Sequence, residues 1–117
     1  LTTLAVVRNT AAGLLGKHRL GQAINSSLKT RLDLSYDFVY ADLKDRKIVT
    51  WAKAANTTIP DSVAQHVSAL MAFEATNEIG VSRDRMQRIR EKEALAIPAI
   101  ARISKPDYES IDDPQDF

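Results

Sequence analysis

The segment Asn25-Ser26-Ser27-Leu28-Lys29-Thr30-Arg31-Leu32-Asp33-Leu34-Ser35-Tyr36-Asp37-Phe38-Val39-Tyr40-Ala41-Asp42-Leu43-Lys44 decides the fold class of this chain. Leu28, Leu32, Tyr36 (or Ser35), Val39 and Leu43 recur at spacings of three and four, the repeat that places side chains on one side of an α-helix. The charged residues Lys29, Arg31, Asp33, Asp37, Asp42 and Lys44 fall largely between them. Asn25, Ser26 and Ser27 each offer a side-chain oxygen to the unpaired N–H groups of a first helical turn. The spacing predicts a long helix from about this point to about Lys47, or through Trp51. Leu34, Phe38 and Ala41 widen its apolar stripe, so this helix is expected to meet partners on more than one side.

The flanking segments follow the same pattern. Before it, Thr2 or Thr3 can cap a helix whose apolar face is Leu4, Val7, Ala11 and Leu14, with Gly16 at its left-handed end. A connector from Lys17 to Asn25 holds Gly21, and Ile24 is expected to plug the gap between helices. After it, Ala52 to Ile59 reads as a loop. Pro60 suits the first turn of a third helix, where its missing N–H is no loss. Val63, Val67, Leu70 and Met71 form that helix's buried stripe, with Phe73 and Ile79 at the margins and Gly80 closing it. Ser82 caps a fourth helix, favoured by Asp84 in its first turn. Its face is Met86, Ile89, Glu93, Ile97, Ile100 and Ile103 (or Ser104). Pro98 removes an N–H and crowds the carbonyl of Ala94, so a kink or break is expected there. No strand alternation, repeat or low-complexity tract is visible. The expected fold is all-α: about four helices packed up and down over residues 1–104, followed by an extended arm at 105–117.

Bulk composition agrees. The 117 residues are 44% apolar and 26% charged, which suits one globular core. Four glycines and four prolines are few for a β-rich fold. The net charge of +1 hides an asymmetry: residues 1–104 carry +5 and residues 105–117 carry −4. The arm's apolar residues are only Tyr108, Ile111 and Phe117, too few for a core of its own, which suggests a tail that docks on another surface. There is no cysteine, which excludes disulfides and thiolate chemistry. No apolar run approaches the ~20 residues of a membrane span, and no signal peptide is expected.

Catalytic patterns are missing from the sequence. His18 sits between Lys17 and Arg19, a neighbourhood that discourages metal binding. His66 has Ser62 and Leu70 at the positions one helical turn away, so it reads as structural. Glu74 and Glu78 are four apart, but a lone carboxylate pair is a usual solvated face. The Glu-x-x-His pairs of di-iron bundles and the glycine-rich phosphate loop are absent. No enzyme, metal or cofactor is expected. One cluster stands out: Arg83, Arg85, Arg88, Arg90 and Lys92 put five cations into ten residues of the fourth helix. Arg85, Arg88 and Lys92 share a face by spacing. The stripe reads as an anion-binding surface or as a solvated face with local pairs such as Arg88 with Glu91. Glu78 to Ser82 could also be the turn of a helix-turn-helix, which makes a DNA-binding regulator the alternative function.

The order of features also resembles a known family. Leu14-Leu15-Gly16, the isolated Ile24 before Asn25-Ser26-Ser27, Leu34 to Leu43 finishing near Trp51-Ala52, Ile59-Pro60, Ala69 to Ala75 and Glu93-Ala94-Leu95-Ala96 look like the head-completion or tail-tubular adaptors of short-tailed bacteriophages. A Tyr-Asp … Leu-Leu … Trp-x-Phe-Ala helix end recurs in that family. The likeness covers about residues 3–100. Lys53 replaces the aromatic after Trp51, Lys44 replaces one leucine, and the β-rich insertion of larger members is reduced to Ala52–Ile59. Compact siphophage connectors have similar bundles. The resemblance implies a structural virion protein assembled in the host cytoplasm, a dodecameric ring in the neck between head and tail. Its partners would be the portal protein, the tail tube or nozzle protein, further copies of itself, and duplex DNA touched non-specifically in the channel. Asp107, Tyr108, Glu109, Ile111, Asp112, Asp113 and Phe117 would be the portal-binding arm. Arg83, Arg85, Arg88, Arg90 and Lys92 would face a neighbouring subunit or the channel, and a neighbour is preferred because DNA must slide. Asn56, Thr57 and Thr58 would form a tail-facing loop.

Overall fold

The computed structural model describes residues 1–17, 23–54 and 57–104. His18, Asn56 and the whole arm at 105–117 lie outside the described residues. The elements in chain order are β1 (Thr2–Thr3), α1 (Leu4–Leu14), α2 (Ser26–Asp45), β2 (Thr58–Ile59), α3 (Asp61–Ala75) and α4 (Arg83–Ser104). The all-α four-helix expectation holds, with one addition. The expected loop before Pro60 contains a two-residue strand, which pairs antiparallel with β1, Thr2 opposite Ile59 and Thr3 opposite Thr58. Two residues are too short to show an alternating pattern in sequence.

Side-chain caps start α1, α2 and α4 where the sequence places them, while α3 begins after Pro60 with no side-chain cap. The Thr3 hydroxyl accepts from the Val6 N–H at 3.3 Å, Asn25 Oδ1 from the Leu28 N–H at 2.8 Å, and the Ser82 hydroxyl from the Arg85 N–H at 3.2 Å. α1 ends on Gly16 at φ +76°, with Lys17 N–H reaching the Ala12 carbonyl and Gly16 N–H the Gly13 carbonyl. α2 ends by the same wrap, but the left-handed position is Lys47 at φ +62°. Ile48 N–H reaches the Leu43 carbonyl at 3.1 Å, and both side chains are buried, the apolar contact that accompanies this motif.

Two helix ends differ from expectation. α3 stops at Ala75 instead of Gly80, and its last turn loosens into turns over the next residues. The Thr76 hydroxyl donates to the Phe73 carbonyl at 2.6 Å, satisfying an acceptor near the helix end from the side chain. α4 does not break at Pro98; it runs through to Ser104. Pro98 and Ala94 are both exposed, so the carbonyl that loses its N–H partner can be hydrated.

Successive helices alternate in direction. The β1–β2 pair sets the starts of α1 and α3 side by side, and the Thr2 hydroxyl donates to Asp61 at 2.6 Å. Near the start of α2, Arg31 donates to the Glu74 carbonyl at the end of α3. α1 and α3 therefore run the same way and touch directly: the buried Ser68 hydroxyl donates to the Val7 carbonyl at 3.2 Å. α3 is the centre of the molecule, packed on α1, α2 and, most broadly, α4. Leu32, Leu43, Ile59, Met71, Ile89 and Ile100 fill the interior with no exposure. Ile24 packs against this core, as expected of a plug.

Candidate interaction surfaces

The fourth helix buries Ile89, Ala96, Ala99 and Ile100 against α3 and turns its charges outward. Arg83, Arg88, Arg90 and Lys92 are exposed, and none makes an ion pair with a described residue. The local pair expected between Arg88 and Glu91 is not formed; Glu91 accepts from Gln87 instead. Arg85 needs a correction. It does not share an outward face with Arg88 and Lys92 but folds over the end of α1. Its guanidinium donates to the Gly13 and Leu14 carbonyls at 3.4 Å, long contacts whose strength is mainly that of a cation at a helix C-terminus. A side chain at Gly16 would lie 2.7 Å from this guanidinium and would push it aside; the φ of +76° is what favours glycine there.

The outward stripe of α4 that remains is Arg88, Lys92, Leu95 and Arg102, at successive helical spacings. Leu95 is 67% exposed. Beside it, His66 and Ala69 of α3 join Lys92 and Leu95 around a depression of about 170 Å³. Burial holds the His66 imidazole below its usual pKa, and the positive charges of Arg102 and Lys92 push the same way. The cation stripe marks Arg88 and Lys92 of this surface in the sequence, whereas Leu95 falls outside the apolar stripe of α4 and only its exposure in the fold joins it to them.

A second surface lies on α2. The expected buried stripe is buried in full, together with Ser35 and Tyr40. The residues that widen it are left largely uncovered by the described residues: Leu34 is 45% exposed and Phe38 53%, and Ala41 is exposed. Phe38 borders a groove of about 230 Å³ between α2, α3 and α4, with Leu70, Phe73 and Ile97 at its floor and Asp42 and Glu93 at its rim. Asp42 pairs with Arg46 at 3.1 Å and Asp37 with Lys53 at 3.7 Å; Asp45 pairs with no described residue.

The other expected site residues are less informative. Thr57 is half-buried and Thr58 lies in β2, where it is held by the pairing with Thr3. Asn56 and all seven arm residues fall outside the described segments. Residues 76–82 separate α3 from α4, and α4 packs back antiparallel along α3, a longer connection and a different geometry from the tight turn of a helix-turn-helix. Among the described residues no group of three His, Asp or Glu could hold a metal ion, and no helix is long and apolar enough to cross a membrane. No protein-family model matches the chain, and neither a curated protein nor a solved structure matches it.

Proposed function

We propose that this chain is a structural adaptor of a bacterial virus, a ring component that joins the portal to the tail and continues the DNA channel. One observation carries the reading. The interior of the bundle is used for packing, while large apolar side chains and cations that pair with no described residue are held outward on rigid helices, at Leu34 and Phe38 on one side and at Arg88, Lys92 and Leu95 on another. Exposed apolar residues set among charges on a rigid scaffold suit contact with other proteins. The resemblance in sequence order supplies the particular partners: the portal, the tail tube and further copies in the virion neck. The acidic segment with Tyr108, Ile111 and Phe117 supplies the docking arm, since aromatic side chains bury large areas and lose few rotamers.

The DNA-binding alternative has less support, because the antiparallel α3–α4 pair does not project a recognition helix. The test is co-sedimentation with portal rings. The full chain is expected to bind, and a chain ending at Ser104 is expected to keep its circular dichroism and lose most of the binding. Duplex DNA should bind weakly and without sequence preference. Sequence-specific affinity in the nanomolar range would replace this reading with that of a regulator.

A further inference from the structure

We propose that copies of this chain join head to tail, the α2 ridge of one copy seating on the α4 stripe of the next. The inference deepens the reading of the chain as a ring component and rests on it. Leu34, Phe38, Ala41 and Asp45 follow at intervals of four, three and four, so they form one ridge on the side of α2 opposite its buried stripe. Arg88, Lys92, Leu95 and Arg102 follow at four, three and seven and form one ridge on α4. Each ridge joins exposed apolar side chains to charge, and the charges that the pairing below brings together are opposite: Asp42 and Asp45 on α2, and Arg88 and Lys92 on α4.

The spacings also match. Asp42 and Asp45 lie four and seven residues beyond Phe38. Lys92 and Arg88 lie three and seven residues before Leu95. With the two helices antiparallel and Leu95 against Phe38, Asp42 meets Lys92 and Asp45 meets Arg88. The exposed Asp42–Arg46 pair is weak enough to yield to such a contact. Either ridge against its own copy would set like charges together, which selects the unlike pairing. A contact between two different faces of one chain leaves an open face at each end, so it continues into a ring or a filament and does not stop at a dimer.

Analytical ultracentrifugation of the full chain, Phe38→Glu, Leu95→Glu and an equimolar mixture of the two tests this. Both residues are largely exposed, so the core is untouched. The full chain is expected to associate with rising concentration beyond a dimer, less so at high salt. Each variant alone should associate about tenfold or more weakly, as expected for an unpaired charge placed in an interface. Mixed, each variant still has one intact ridge, so a one-to-one dimer should form and growth should stop there. Charge reversal gives an independent reading: Asp45→Lys or Arg88→Glu alone weakens association, and the two together in one chain restore it. A full chain that stays monomeric, variants that associate like the native chain, or a mixture that forms no dimer overturns the proposal. Portal co-sedimentation separates the two ideas. Portal binding by a chain that never self-associates sinks the head-to-tail contact and leaves the adaptor reading, whereas self-association without portal binding does the reverse.

Discussion

The indole N–H of Trp51 donates to the Tyr36 hydroxyl at 3.0 Å, and this bond ties the chain beyond α2 back onto the helix it has just left. The Tyr40 hydroxyl completes the clasp by donating to the Trp51 carbonyl at 2.7 Å, with the two rings edge to face. Trp51 is buried, as its position at the end of an apolar stripe leads one to expect.

Trp51→Ala should therefore destabilise the fold by about 3–5 kcal/mol, the usual cost of emptying a large buried site. Tyr36→Phe keeps the ring but strands a buried indole N–H, a loss of about 1–3 kcal/mol. Urea unfolding measures both. A change under about 1 kcal/mol for Trp51→Ala would show that the clasp contributes little.

Lys47 holds a left-handed conformation that an L side chain adopts at a cost of about 1–2 kcal/mol. Its backbone serves the end of α2, while its side chain is exposed. Lys47→Gly should raise stability by about 0.5–1 kcal/mol, because glycine's greater freedom in the unfolded chain takes back part of the gain. A lower urea midpoint for the glycine variant contradicts this.

Arg85 and Arg88 are three residues apart and should behave differently. Arg85→Ala uncovers the last carbonyls of α1 and should cost about 1 kcal/mol of stability. Arg88→Ala touches no described partner and should stay within about 0.5 kcal/mol. Its effect belongs to self-association. Equal unfolding midpoints for the two variants would mean that Arg85 does not cap α1.

His66 makes stability depend on pH. Its folded pKa lies below the ordinary value of about 6.5 because burial, then Arg102 and Lys92, disfavour the imidazolium. The unfolded chain therefore takes up its proton at higher pH than the folded one. His66 has no effect above the unfolded value, and stability falls as the pH drops through that value toward the lower folded one. His66→Gln should flatten the fall of the urea midpoint below about pH 6.5. An unchanged slope would assign it to the carboxylates.

What the sequence by itself determined is local. Thr3, Asn25 and Ser82 cap the helices they precede, and Gly16 ends α1, because these effects act within one turn of chain. The stripe Leu28, Leu32, Tyr36, Val39 and Leu43 is buried because period alone sets which side of a helix an apolar residue occupies. The tertiary structure alone decided which helices meet. It placed α3 at the centre, with α1 parallel to it and Ser68 against Val7, since helical period names a face but not the neighbour that covers it. It also decided that Arg85 turns inward while Arg88 and Lys92 stay outward, although spacing sets all three on one side of α4. The difference is the end of α1: its last carbonyls, at Gly13 and Leu14, lie within reach of position 85, and among the described residues Arg88 finds no such acceptor. Leu34 and Phe38 make the same point from the apolar side. Their hydrophobicity was plain in the sequence, but exposure depends on whether another helix arrives, and among the described residues none does.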